Sequence, residues 1–332
     1  MGILLALAVI LIIPGCAREA PAETSAVQSC IADITPLQFD VTAATEREVP
    51  PAVETEAQAL PAEAAIVHSA TAVASGALVK SCEEAVIDYS NTADGYVMVR
   101  YTATTDRRLK VQVKGPSATY TYNLTAGEWT AFPLSDENGT YKITVYKNAV
   151  DSKYAAVLSL TVDVTLENEF APFLHSNQIV NFDEAPNAVA MADKFCMGQD
   201  DLQKVASIYD FVVKGMVYDT ELAATVRSGY VPDLDRSLEK MSGICFDYAA
   251  LMTGMLRSQG VPCKLVVGYA GEVYHAWISV WSEETGWVEG IVFFDGVSWQ
   301  RMDPTFASSA GGDPAILEYI GGGSHYWAKY IY

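Results

Sequence analysis

The stretch Gly243-Ile244-Cys245-Phe246-Asp247-Tyr248-Ala249-Ala250-Leu251 decides how the chain is read. Cys245, Ala249, Met252 and Leu256 recur at helical spacing as one apolar stripe, so a helix is expected to begin at the cysteine. Gly260 and Pro262 supply its stop, and Ser242 and Gly243 stand where an N-cap is expected. A thiol in a first helical turn faces unpaired backbone N–H groups and the positive end of the helix dipole. Both favour the thiolate, the reactive form. Asp247 is placed to bond a neighbouring backbone N–H in the same turn.

Two further stretches lie downstream: Tyr274-His275-Ala276-Trp277 and Arg301-Met302-Asp303-Pro304-Thr305. On an expected strand from Tyr274 to Trp281, His275, Trp277, Ser279 and Trp281 share one face. Taken singly, a histidine among tryptophans is a packed core residue, and an aspartate before proline is a turn-former. Taken together, Cys245, His275 and Asp303 stand in the order of a nucleophile, a base and an orienting carboxylate drawn from one helix and two strands. The same three residue types are metal ligands, but zinc prefers a further nearby Cys or His, and none is offered by the spacing.

The 332 residues have room for about two domains, and half of them are apolar. A net charge of −20 without clustered Lys or Arg excludes a nucleic-acid partner. Six cysteines at positions 16, 30, 82, 196, 245 and 263 form no CxxC pair, so neither a zinc site nor a disulfide framework is expected. Cys30 and Cys82 flank a flexible segment and are either paired or free. Cys196 and Cys263 read as small buried hydrophobes.

The apolar run Ile3–Ile13 is too short to span a bilayer and suits a secretory signal, and Gly15-Cys16 after it resembles the lipobox of bacterial lipoproteins. Residues 1–16 are therefore expected to be a signal segment, with Cys16 lipidated as a membrane anchor at the cell surface. Residues 17–79 are rich in Ala, Glu, Thr and Pro and read as a disordered tether. From 80 to 168 a period of two appears in Tyr96–Tyr101, Leu109–Val113, Thr119–Leu124, Glu128–Leu134, Tyr141–Tyr146 and Ala155–Val164, as in an all-β, immunoglobulin-like sandwich. It is either a binding module or a spacer.

Residues 169–332 read as α+β. Helices are expected over Ala185–Phe195 and Asp200–Met216, with a short turn over Ser237–Lys240. Strands are expected over Lys264–Tyr269, Tyr274–Trp281, Trp287–Phe294 and Ser298–Met302, with Asp295-Gly296 as a hairpin turn. The aromatics at the end, Tyr326-Trp327 and Tyr330-Ile331-Tyr332, are expected to pack on this part of the chain.

The cysteine stretch, the run from Gly260-Val261-Pro262 through Val267-Gly268-Tyr269, Tyr-His-Ala-Trp and Met-Asp-Pro-Thr-Phe together resemble the transglutaminase-like core family, over about Ala192 to Phe306. The resemblance implies a papain-like α+β fold in which Cys245 is nucleophile, His275 base and Asp303 orienter. Tyr218-Asp219 also looks like a recurring family feature. By analogy with aromatic oxyanion residues in some relatives, Tyr218 is a candidate oxyanion donor or a packing residue. Trp277 is a candidate wall of the acyl site or a buried strand residue. No cofactor and no metal are implied, and the calcium loop of some animal relatives has no counterpart here.

The expected reaction is acyl transfer at a peptide or carboxamide bond of a protein or peptide substrate, including a cell-wall peptide. Hydrolysis by a peptidase or amidase is preferred. The same triad would serve a protein-glutamine gamma-glutamyltransferase that cross-links or deamidates. A reading from another class is a non-catalytic wall-binding or adhesion lipoprotein, against which the intact Cys245, His275 and Asp303 count.

Overall fold

The alternation read from Tyr96 onward becomes, in a computed structural model, two facing antiparallel sheets. The structure describes residues 71–282, 286–288, 291–294, 299–302, 305, 308 and 326–332. The signal segment, Cys16, Cys30, most of the tether, the Asp295-Gly296 turn and Asp303 lie outside the described residues.

The strands are β1 (Val79–Ser81), β2 (Ala85–Asp88), β3 (Tyr96–Tyr101), β4 (Leu109–Lys114), β5 (Thr119–Leu124), β6 (Thr130–Pro133), β7 (Gly139–Val150) and β8 (Lys153–Val164). One sheet has the order β1-β2-β3-β6 and the other β5-β4-β7-β8. Leu109, Val111 and Val113 of β4 point inward with Tyr122 of β5, whose ring meets Phe132 of β6 at 5.0 Å across the core. The sequence reading missed β1 and β2, which are too short to establish a period. It also found only the inner half of β7, because the strand runs on past the core as a solvent-facing ribbon with β8.

The following segment builds α1 (Pro186–Cys196), α2 (Asp201–Gly215), β9 (Val217–Tyr218), α3 (Thr220–Thr225), α4 (Leu234–Lys240), β10 (Ser242–Gly243) and α5 (Cys245–Ser258). Asp200, Asp219 and Asp233 start α2, α3 and α4 by accepting the N–H of Gln203, Leu222 and Arg236, respectively, at the N3 position of each helix. The expected stripe of α2 is buried at Val205, Ile208, Tyr209 and Val212. α4 is longer than the turn read from the sequence, and α3 was not foreseen.

α5 is the centre. It packs against α1, α2 and α4 and against two strands that follow it, so every residue from Asp247 to Ser258 is buried. A helix surrounded in this way needs apolar residues on all sides rather than on one stripe. Leu251, Met252, Met255 and Leu256 are fully buried, each stabilising the fold by about 1.5–3 kcal/mol.

After it come β11 (Cys263–Ala270), β12 (Val273–Ser282), β13 (Gly286–Val288), β14 (Ile291–Phe294), β15 (Trp299–Met302) and β16 (Tyr326–Ile331). One sheet has the order β13-β12-β11-β16, and β14 pairs with β15 apart from it. The run Trp287–Phe294 is thus two strands in two sheets, consistent with the Glu289-Gly290 break in its alternation. Phe294 stands opposite Trp299.

The final strand meets both parts of the chain. β16 extends the sheet of β11 and β12, with Tyr326 against Trp277 as expected, and Tyr330 and Tyr332 also lie against Tyr120 of the sandwich at 5.6 and 5.7 Å. The fully buried Arg257 at the end of α5 ties the pieces together. Its guanidinium donates to the main-chain oxygens of Cys263, His175 and Tyr332 at 2.8, 3.0 and 2.6 Å. Burial pulls its pKa down to about 10.

Candidate active site

β9 and β10 form a short parallel ladder in which Tyr218 lies opposite Gly243, and Cys245 follows as the first residue of α5. Asp219 N–H donates to the Gly243 carbonyl at 2.9 Å, which fixes the Tyr218 main chain beside the segment that leads into Cys245. The N-cap is Ile244, in extended conformation, and not Ser242 or Gly243, which belong to β10. Ile244 has no side-chain oxygen, so the capping function is inverted. The Asp247 carboxylate reaches back to accept the Ile244 N–H at 2.9 Å.

Asp247 is 1% exposed, and its other oxygen accepts the Tyr230 hydroxyl at 2.6 Å. Burial pushes the carboxyl above its usual range, while the two hydrogen bonds oppose the rise. Burial, and then the carboxylate it bonds, raise the Tyr230 phenol. Nothing in the sequence singled out Tyr230, which lies in a loop with no period. The Arg227–Asp233 loop was legible only as a loop.

Cys245 is partly exposed, in contrast to Cys196 and Cys263. Burial pushes the Cys196 thiol up to about 11 and the Cys263 thiol up to about 12, as expected of inert core residues. Cys82 is exposed and forms no disulfide with any described cysteine.

His275 sits near the start of β12, opposite Gly268 of β11, and is 4% exposed. Its ring is near-parallel to that of Trp277 at 6.4 Å. Trp277 is buried and meets Tyr326 edge-on at 5.1 Å. Ala276, Ile278 and Val280, at the alternate positions, join the core shared with α5. Gly268 is the neighbour that the site requires. A Cβ there would stand 1.9 Å from the Trp327 carbonyl oxygen and 2.9 Å from the Trp277 ring.

The structure therefore pairs Tyr218 with Gly243, two residues before Cys245, and places His275 and Trp277 together on a strand packed beside α5. Asp303 falls outside the described residues, beyond β15. Among the described residues no group of three His, Cys, Asp or Glu is arranged to hold a metal ion. No helix among them is long and apolar enough to cross a membrane.

Cys245 thus stands at the head of a buried helix and His275 on the sheet that follows it. Residues 190–304 match the model of the transglutaminase-like superfamily and form a transglutaminase-like domain. A protein-glutamine gamma-glutamyltransferase of Pseudomonas aeruginosa is 26% identical over 148 residues, which is 40% of this chain. The chain covers 22% of that protein's length. Among solved structures, a candidate cysteine protease from Cytophaga hutchinsonii is similar at 17% identity and a TM-score of 0.33, over 63% of this chain and 71% of that one. The periplasmic domain of TgpA from Pseudomonas aeruginosa, bound to ethylmercury, is similar at 16% identity and a TM-score of 0.32, over 73% and 78%.

Proposed function

We propose that the chain is a cysteine acyl-transfer enzyme acting on peptide or carboxamide bonds, with Cys245 as nucleophile, His275 as base and Asp303 as the carboxylate that orients it. The observation that carries this reading is the placement of Cys245 as the first residue of a buried helix, partly exposed where Cys196 and Cys263 are sealed in the core.

A distance estimate supports the pairing with His275. A short turn joins α5 to β11, which packs on the helix and starts beside Thr253 and Arg257. From Cys263 to Gly268 the strand advances about 17 Å, and from Arg257 back to Cys245 the helix covers about 18 Å. The two lengths match, so a strand that returned along the helix would bring Gly268, and His275 opposite it, level with the cysteine.

In the reaction, His275 takes the Cys245 proton and the thiolate attacks the carbonyl carbon. His275 then protonates the departing amine as the C–N bond breaks, leaving a thioester. Asp303 fixes the imidazole tautomer and supports its charge. The Cys245 N–H supplies one oxyanion donor, and the phenol of Tyr218, whose main chain stands opposite Gly243 across the β9–β10 ladder, the second. Water resolving the thioester makes the enzyme a peptidase or amidase. An amine resolving it makes a glutamyl transferase, a reading favoured by the named activity of the curated relative. The apolar run ahead of Cys16 supports placement outside the cytoplasm on a lipid anchor.

The test is competitive labelling of the folded chain with iodoacetamide at mildly acidic pH. Cys245 is expected to react faster than the exposed Cys82, and His275→Ala to remove the difference. Equal rates at the two thiols in both proteins would contradict a thiolate–imidazolium pair.

A further inference from the structure

We propose that Tyr230 is a positioning residue for the nucleophile turn: through Asp247 it fixes the peptide that carries the Cys245 N–H, and its loop is braced on the sandwich at Asn123. The inference rests on the reading of Cys245 as nucleophile and names what holds its oxyanion donor in place.

The peptide between Ile244 and Cys245 is planar, so whatever fixes its carbonyl also fixes the Cys245 N–H. The Ile244 carbonyl accepts from Asp247 N–H at 2.9 Å and Tyr248 N–H at 3.1 Å. On the other side of the residue, Ile244 N–H donates to Asp247 Oδ2 at 2.9 Å. Asp247 thus grips Ile244 from both ends, and its own orientation depends on Oδ1, which accepts the Tyr230 hydroxyl at 2.6 Å. The arrangement requires Gly243, where a Cβ would lie 2.5 Å from that of Asp247. Arg236 favours the ionised carboxylate and Asp219 opposes it.

The loop is held from the far side. Asn123 of β5 donates its amide to the Gly229 carbonyl at 3.1 Å. Asn123 is itself fixed, because the Gln178 side chain accepts its N–H at 3.1 Å and donates to its carbonyl at 2.7 Å. Lys110 Nζ donates to its side-chain oxygen at 2.7 Å. An unbroken series of hydrogen bonds and main chain therefore runs from the sandwich to the nucleophile.

Two reagents on the full chain separate positioning from packing. With p-nitrophenyl acetate, the thiolate forms a C–S bond to the acyl carbon and p-nitrophenolate leaves with the C–O electron pair, through an oxyanion. With iodoacetamide, the thiolate displaces iodide and no oxyanion forms. Tyr230→Phe is expected to slow ester acylation by about tenfold or more while alkylation of Cys245 changes by less than about twofold, at an unchanged melting temperature. Asp247→Asn is expected to show the same selective loss, and decides the matter if Tyr230→Phe does not fold. Unchanged acylation in the folded variant overturns the proposal. An equal fall in both rates, with a lowered melting temperature, also overturns it, because Tyr230 is then only structural. A wild-type Cys245 inert to both reagents instead removes the underlying nucleophile assignment.

Discussion

Tyr218 lies opposite Gly243 in a parallel ladder, two residues ahead of Cys245. A ladder this short holds its register through flanking bonds: Val217 N–H to the Met241 carbonyl and Asp219 N–H to the Gly243 carbonyl, each at 2.9 Å. The tyrosine main chain is therefore anchored to the turn on which the proposed reaction depends.

If the Tyr218 phenol is the second oxyanion donor, Tyr218→Phe removes the donor and keeps the ring. Ester acylation of Cys245 is expected to fall by about 10²–10³-fold with the melting temperature unchanged. An unaltered acylation rate would assign Tyr218 to packing alone.

Gly268→Ala is expected to destabilise the sheet severely, by about 3 kcal/mol or more. The new methyl group meets the Trp327 main-chain oxygen, and backbone cannot swing aside as a side chain can. Urea denaturation measures the loss. A change below about 1 kcal/mol would mean that β11 and β16 are not packed as described.

How much of this was legible beforehand depended on whether a residue acts through its neighbours in sequence or through the fold. Cys245, Ala249, Met252 and Leu256 announced α5 because a helical period is local. His275 and Trp277 were placed on one strand face for the same reason. Ile244 was invisible as the cap, since the acceptor comes from Asp247 inside the helix. Tyr230 and Gly229 sit in a patternless loop whose meaning comes from contacts to Asp247 and Asn123. Arg257 read as an ordinary cation near a helix end, and only the closed fold shows it buried among main-chain oxygens. Tyr330 and Tyr332 had the right composition for packing but no signal that their partner would be the sandwich.

The buried tyrosines give the protein an alkaline limit. Burial raises the phenols of Tyr122, Tyr141 and Tyr332 well above the ordinary value. Above a pH of about 10 the unfolded chain ionises these groups while the folded chain keeps them protonated, so the unfolded state binds fewer protons and stability falls as pH rises. Their contribution is fully present below that pH. Each unit of elevation removes up to about 1.4 kcal/mol over the titration. The exposed tyrosines ionise first, and the last part of the tyrosinate absorbance is expected to appear together with the loss of circular dichroism. Ionisation of every tyrosine near a pH of about 10 with the fold intact would show these phenols to be solvated.

The most direct measurement is mass analysis of a glutamine-containing peptide library after incubation with the full chain, with and without a primary amine, beside Cys245→Ala. Acyl transfer through Cys245 predicts cleaved peptides, or a gain of about one dalton at glutamine that gives way to amine adducts when amine is present. Neither is expected with the alanine variant. Peptides left unchanged by the wild-type chain in both conditions, or changed equally by Cys245→Ala, would contradict the assignment of Cys245 as an acyl-transfer nucleophile.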